Sequence, residues 1–407
     1  MSGRCDVAII GAGPHGLSLA AHLRAAGIDF RIFGKTLGTW RDHMPSDMLL
    51  KSDGFASNLS APSEQSTLKA WCSEHGVAYA SQGLPVSLET FLAYGSDFQK
   101  RYVPNVEDVM VENVEQVGAD FELTLANGEK VIAGYVVAAA GISCFPYTPI
   151  TMSHLPSHLL SHSYDHRAVD GFRGKDVVVI GAGASAIDLA SSVHDSGATV
   201  RIVVRAPFIE YNSIPDPDAE TLLYRIRRPA SGIGRGWRSY FCANAPLLFY
   251  RLPEPLRMRG VASHMHPAAG WFMREKIEGR IETLLGRTIA GAEAMKQGVL
   301  LTTIREDGTR QQLACDHVIA ATGYRPDTRR MNYLAPALRS AIASQRYTPV
   351  VSDNFETPVE GLFVTGPAVI DSFGPLMRFM VGAEFVAPRL SGYLVRKLGA
   401  QTEKRAA

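Results

Sequence analysis

Two six-residue turns carry the residue types that can cradle a phosphate: GAGPHG, Gly11 to Gly16, and GAGASA, Gly181 to Ala186. In a G-x-G-x-x-G turn the first glycine lets the chain reverse, the second admits a pyrophosphate against the backbone, and the third lets the helix pack on the strand. The helix that opens there aims unsatisfied N–H groups and a partial positive charge at the anion. Gly11, Gly13, Pro14, His15 and Gly16 are therefore expected to hold one dinucleotide, and Gly181, Gly183, Ala184, Ser185 and Ala186 a second. The third glycine is missing from the second turn, where the Ala186 methyl should hold its helix slightly away from the strand. Roughly 20 residues on, where a carboxylate would bind the ribose of NAD, the second unit offers Arg205, a partner for a 2′-phosphate. The first unit offers Gly34 and Lys35 there, so these residues alone leave open which nucleotide each turn takes.

These turns need strands before them and helices after them. DVAIIGAGPHGLSLAAHLRAAGIDFRIF reads as strand, turn, helix and strand, with a stop at Gly27, and the pattern returns in DVVVIGAGASAIDLASSVHDSGATVRIVV with its stop at Gly197. Each unit is followed by alternating apolar and polar stretches around a hairpin signal, Asn127-Gly128 in one and Asp307-Gly308 in the other. After Tyr324 the chain reads as a loop, a short helix, the apolar strand GLFVTG and a long helix from about Pro375 to Leu398. A closing strand and helix after the second unit are best explained as completing the first. The expected fold is α/β: two Rossmann-like dinucleotide-binding domains, the second inserted into the first, each with an antiparallel β-ribbon. The division is 1–160 and 325–407 for the first domain and 161–324 for the insert.

Composition narrows the function classes. The 46% hydrophobic content supplies sizeable cores, and 41 basic against 40 acidic residues give no broad electrostatic argument for nucleic acid or a membrane surface. The basic run RIRRPASGIGRGWR, Arg225 to Arg238, reads as a solvated or nucleotide-side loop. Five scattered cysteines form no C-x-x-C and no metal-ligand spacing. No apolar run approaches the roughly 20 residues that span a bilayer, so a cytoplasmic protein with a small-molecule partner and no metal is expected, with a homo-oligomer compatible.

With both halves placed, the chain resembles the class B flavoprotein monooxygenases, which include the flavin-containing monooxygenases and the lysine and ornithine N-hydroxylases. The marks are GAGPHG, LGTW at Leu37 to Trp40, AAAGISCFPYTP, SHSYDH, GAGASA and IAATGY at Ile319 to Tyr324. The resemblance implies FAD on the first unit and NADPH on the second. It further implies that O2 adds to the reduced flavin as a C4a-(hydro)peroxyflavin, shielded by retained NADP+, until a nitrogen or sulfur nucleophile takes the distal oxygen. The protein then has to supply position, dryness and electrostatics. Cofactor contacts are expected from Lys35, Trp40, Val111, Gly141, Thr322, Gly323, Tyr324, Gly366, Phe373, Gly374 and Pro375 as well as the two turns. Departures are Gly34-Lys35 in place of an acidic residue and Gly366-Pro367 in place of Gly-Asp, which leaves Asp371 as a substitute. His162, followed by Asp165-His166, lacks the aromatic pattern of Baeyer–Villiger enzymes, which lowers ketone oxygenation.

Lys51 and Asn58 are the candidate catalytic residues. Lys51 resembles the lysine that helps bind an amino-acid carboxylate in the N-hydroxylases, and Asn58 resembles an asparagine beside the flavin in flavin-containing monooxygenases. Ser372, Gly374 and Pro375 read as a helix start that would stabilise an anionic reduced flavin ring. His162 is expected to be structural, and Met273, Met377 and Met380 to be packing residues. Competing functions are an FAD-dependent NADPH oxidase or dehydrogenase and a non-catalytic nucleotide-binding regulatory protein. A disulfide reductase would need a redox-active cysteine pair near the flavin, and the sequence has none.

Overall fold

The computed structural model describes residues 3–213, 221–264 and 266–406, without the side chains of 401–406. The first unit forms β1 (Gly3–Ile10), α1 (Pro14–Ala25) and β2 (Phe30–Phe33). Then come α2 (Gly38–His43), α3 (Leu68–His75) and α4 (Leu88–Tyr102). The sheet continues through β3 (Val106–Glu107), β4 (Val111–Val117), β5 (Asp120–Leu125) and β6 (Lys130–Ala138). Its order is β3-β2-β1-β6-β5-β4. Val7, Ala8 and Ile9 of β1 are fully buried, as expected of a parallel strand covered on both faces. Val7 and Ile9 each contribute about 1.5–3 kcal/mol.

One edge of β6 pairs along its length with β1, and the other is shared. The β5 strand takes the first half of that edge in antiparallel register, and the distant segment Leu362–Val364 takes the second half in parallel register. The chain that leaves the first sheet at Ala138 thus returns to it after more than 200 residues. Between these points lies a second, fully parallel sheet of β7 (Leu160–His162), β8 (Asp176–Ile180) and β9 (Thr199–Val203), with α5 (Ala184–Asp195) following β8. Four short helices come next: α6 (Leu222–Arg227), α7 (Trp237–Asn244), α8 (Pro246–Arg251) and α9 (Glu254–His264), with the small hairpin β10 (Ala230–Ser231) and β11 (Gly234–Arg235) after α6. The sheet is completed by β12 (Glu282–Leu284) and, beyond the ribbon of β13 (Arg287–Ala294), β14 (Val299–Arg305) and β15 (Arg310–Cys315), by β16 (His317–Ala320). Its order is β12-β9-β8-β16-β7.

Both hairpin signals sit at turns. Gly128 and Gly308 take φ of 83° and 84°, which glycine adopts without cost. Asn127 Oδ1 accepts from Glu129 N at 3.0 Å and Asp307 Oδ1 from Thr309 N at 2.8 Å. The region 42–98, punctuated by polar residues in sequence, holds two capped helices. Thr67 and Ser87 accept from the backbone N–H three residues on, and Leu88, Phe91, Tyr94 and Phe98 bury the helical face of α4.

The C-terminal helix begins later than its sequence pattern predicts. It spans Ala383–Ala406, whereas residues from Pro375 onward make two 3-10 turns, Pro375–Arg378 and Met380–Gly382. Ser372 lies inside the short helix Ile370–Phe373 and caps nothing with its side chain. The reason is local crowding: a Cβ at Gly382 would lie 2.6 Å from the Leu376 carbonyl oxygen, so the backbone folds tightly on itself there before the helix can start. Among the described residues no helix is long and apolar enough to cross a membrane.

Candidate functional site

The glycine turns lie at the C-terminal ends of β1 and β8, the end of a parallel sheet where ligands bind. Gly11 has φ 108° and donates its N–H to Phe33 O at 2.8 Å, and a Cβ on it would come within 2.5 Å of Ala139 O. A Cβ on Gly16 would overlap the Gly11 carbonyl oxygen, whereas one on Gly13 would meet nothing within 4 Å. Closed first and third positions with an open second one are what a pyrophosphate cradle requires. Pro14 opens α1, and no side chain caps the helix, so the first-turn N–H groups stay available.

The second turn repeats this with one change. Gly181 has φ 143°, its N–H reaches Val203 O at 3.0 Å, and a Cβ on it would strike Ala321 O. The Ala186 methyl packs 3.2 Å from that same Cβ position, and Gly183 is open except for Pro267 at 3.6 Å. Ala184 and Ser185 form the uncapped first turn of α5. Arg205, two residues beyond β9, is exposed.

At the end of β2, Gly34 takes φ 122° and lies close to the first turn, its Cβ position 3.5 Å from Ala12 N. Lys35 turns to α2 and pairs with Asp42 at 2.7 Å. Trp40 packs on Phe91, with ring centroids 5.6 Å apart. Val111 is buried at the start of β4, and Gly141 makes a turn with φ 65° just beyond β6. Thr322, Gly323 and Tyr324 tie the end of β16 to the segment before β7. Thr322 Oγ1 donates to Tyr147 O, Tyr147 N donates to Gly323 O at 2.9 Å, and Tyr324 bridges Pro146. His162 completes this knot: its Nε2 donates to Gly323 O at 3.1 Å while Nδ1 accepts from Tyr164 N at 3.0 Å. Burial pushes its pKa down, and both nitrogens are committed, so its part is structural.

Past Leu362–Val364 the chain passes beside α1. Gly366 has φ 71°, and its Cβ position lies 3.5 Å from the His15 ring, with that of Gly382 at 3.4 Å. His15 is buried with both nitrogens unpartnered, as is the Thr365 hydroxyl. Burial pushes the His15 pKa down to about 4, and the nearby Phe379 backbone offsets this only in part. Asp371, by contrast, accepts from Thr348 Oγ1 at 2.9 Å. Phe373 is fully buried against Phe355 and Tyr250. Gly374, with φ 84°, gives way to the Phe249 ring, 2.9 Å from its Cβ position, and Pro375 starts the 3-10 turn.

The two candidate catalytic residues have different surroundings. Asn58 is a loop clamp: Nδ2 donates to Phe55 O at 3.0 Å and to Glu384 at 3.3 Å, and Oδ1 accepts from Leu68 N at 3.0 Å. Lys51 reaches across to the second unit, donating to Ala268 O at 2.8 Å. Its side chain is open to solvent. Desolvation lowers its pKa first and Arg378 second, while Glu210 and Asp188 oppose them. These surroundings include residues that the sequence reading missed. Asp188 of α5 is buried, and its pKa is pushed up to about 7 by burial and then by the Asp47 charge. Asp47 itself accepts from Ser192 Oγ at 2.9 Å. Arg378 is drawn below its ordinary pKa by burial. The sequence signal for Asp188 was a lone carboxylate amid AIDLA, on a helix that also buries Ala186, Ile187, Leu189 and Ala190.

All five cysteines are unpaired, and the described residues hold no group of three or more histidines, cysteines or carboxylates able to bind a metal. The fold is that of an ornithine N-hydroxylase from Kutzneria sp. 744, with a TM-score of 0.76 at 15% identity over 97% of this chain and 99% of that one. A ferredoxin–NADP reductase of Mesorhizobium japonicum is 29% identical over 212 residues, 52% of this chain and 54% of the relative, so the chain spans about half of that protein. The indole-3-pyruvate monooxygenase YUCCA1 of Oryza sativa subsp. japonica is 26% identical over 346 residues, 78% of this chain and 76% of its own. Residues 8–224, with both glycine turns among them, match the model of one family, and on that match over more than half its length the chain belongs to the pyridine nucleotide-disulphide oxidoreductases.

Proposed function

We propose that the chain is an FAD-containing, NADPH- and O2-dependent monooxygenase that oxygenates the nitrogen, or the sulfur, of a small molecule. The observation that carries this reading is the pair of cradles in one chain, each closed at its first glycine and open at its second, with Lys51 reaching from the first unit to Ala268 of the second. FAD fits the first. Gly13 leaves room for a pyrophosphate, and the unpartnered His15 nitrogens and Thr365 hydroxyl flank Gly366, where the flavin chain would pass. NADPH fits the second, with the open Gly183 and the exposed Arg205. The Kutzneria enzyme is a complex with reduced FAD, NADP+ and L-ornithine, and YUCCA1 is named a monooxygenase. Both agree with the class B resemblance read from the sequence.

When bound, FAD would supply the activation of oxygen, with NADPH as the source of hydride. The rest falls to this chain's own residues. The N–H groups at the start of α1 and α5 bind phosphate oxygens. Arg205 pairs with the 2′-phosphate. Lys51 and Arg378 hold positive charge, which attracts a substrate carboxylate and disfavours protonation of an amine bound beside them. A neutral amine keeps the lone pair that accepts oxygen. No protein acid–base dyad is needed.

The test uses FAD-loaded protein, with NADPH, O2 and peroxide followed across a panel of small amines and thioethers. The expected result is a compound that lowers the peroxide formed per NADPH while an oxygenated product accumulates. Peroxide equal to NADPH with every compound would overturn oxygenation, and failure to take up FAD would overturn the cofactor assignment.

A further inference from the structure

The segment from Thr221 to His264 carries eight arginines and one glutamate in a chain that nets only +1. The preceding stretch adds Asp216, Asp218 and Glu220 in sequence, outside the described residues, and the balance stays basic. The same 44 residues hold nine of the nineteen large apolar side chains that stand exposed among the described residues. Leu222 is 75% exposed, Trp237 61%, Leu223 58%, Leu248 57%, Ile226 56% and Leu256 48%. Residues 221–228 are exposed throughout, so α6 is buried on no face by the described residues. An open groove of about 630 Å³ brings Arg238 of α7 together with Leu256 and Arg259 of α9 and with His266.

This surface is firmly mounted. Phe249 packs under Gly374, Gly232 rests against Val381, Tyr250 donates to Val351 O at 3.0 Å, and Cys242, Phe249, Val261 and Ile370 form a small core of their own. The inner side is packed on the C-terminal segment while the outer side presents apolar and cationic groups together.

We propose that this outer surface, formed by α6 to α9, docks on an anionic phospholipid membrane, lying in the interface without spanning it. Apolar side chains among arginines are the composition of an interfacial binder: the apolar groups enter the acyl boundary and the guanidinium groups meet phosphates. Nucleic acid would satisfy the arginines and leave six protruding apolar side chains in water. An isologous pairing of two copies would set the arginines of one against those of the other. A membrane satisfies both groups and requires no matching shape.

The test is co-sedimentation of the full-length, FAD-loaded protein with vesicles of phosphatidylcholine alone and of phosphatidylcholine mixed with phosphatidylglycerol. Binding is expected to the mixed vesicles and to weaken with salt. Two exposed-surface variants follow: Leu222→Asp with Ile226→Asp, and Arg225→Glu with Arg228→Glu. Each should weaken binding by about ten-fold or more with an unchanged melting temperature. Trp237 fluorescence should shift to the blue only with mixed vesicles. No sedimentation with either vesicle, or equal sedimentation of the variants, overturns the proposal. It is equally overturned if the protein ignores vesicles and instead binds duplex DNA, or forms a dimer in light scattering that the same variants abolish.

Discussion

The two glycine turns share one job, and at the third glycine of the motif they differ by a single methyl. In the first, the third glycine is obligatory because a Cβ would overlap the Gly11 carbonyl; in the second, Ala186 occupies the equivalent place and packs 3.2 Å from the Cβ position of Gly181. The helices start with the same uncapped geometry, so the difference lies in how closely helix approaches strand. It teaches that the G-x-G-x-x-G pattern combines separable demands. The first glycine is fixed by φ, the second by room for the ligand, and the third by packing, which can be relaxed.

The largest effect expected from breaking this comparison is at Gly16. Gly16→Ala should cost on the order of 3 kcal/mol or more, read as a lowered melting temperature and lost flavin. The converse Ala186→Gly should change stability by only about 1 kcal/mol. If both behave alike, the two turns pack alike and the contrast fails. Next comes Gly13→Ala, whose methyl meets nothing in the protein. The melting temperature of FAD-free protein should stay put while the FAD dissociation constant rises about ten-fold or more. A lowered melting temperature with unchanged FAD affinity would place the nucleotide elsewhere.

A smaller, selective effect is expected at the end of β9. Arg205→Ala should raise KM for NADPH by about ten-fold while leaving NADH unchanged, and equal losses would strip Arg205 of its 2′-phosphate role. The smallest effect tests the charges around Lys51. Asp188 ionises in the folded protein near a pKa of about 7, against an ordinary 3.8, through burial first and Asp47 second, with Lys276 and Lys51 opposing. The folded state therefore holds this proton more tightly than the unfolded chain. Its stabilisation is full below the ordinary aspartate value and is lost as pH rises through about 7. Asp188→Asn, which mimics the protonated form, should melt higher than the parent at about pH 8 and show little gain at about pH 4. A constant difference across that range would mean that Asp188 titrates as an ordinary surface carboxylate.

Much of the frame was legible. The apolar run of β1, the turn residues Gly128 and Gly308 and the glycine turns are all local features, and each matches its place in the structure. The C-terminal segment was not legible in the same way. Pro375 and Ser372 carry the marks of a helix start, yet the helix waits until Ala383 because the backbone of residues 375–382 folds tightly on itself, Gly382 against the Leu376 carbonyl. The site divided likewise. Asn58 resembles a flavin-side asparagine in sequence, but its hydrogen bonds hold the loop. Asp188, Asp47 and Arg378 escaped notice because they lie far apart in sequence.

The sequence by itself determined the two cradles, since φ, period and turn chemistry are properties of a few neighbouring residues. Tertiary structure alone decided that Lys51 donates to Ala268 across the units, that His15 is sealed between Gly366 and Gly382, and that Asp188 keeps its proton near neutrality. A pKa or an orphaned nitrogen depends on burial and on charges brought from distant parts of the chain, and those distances exist only after packing.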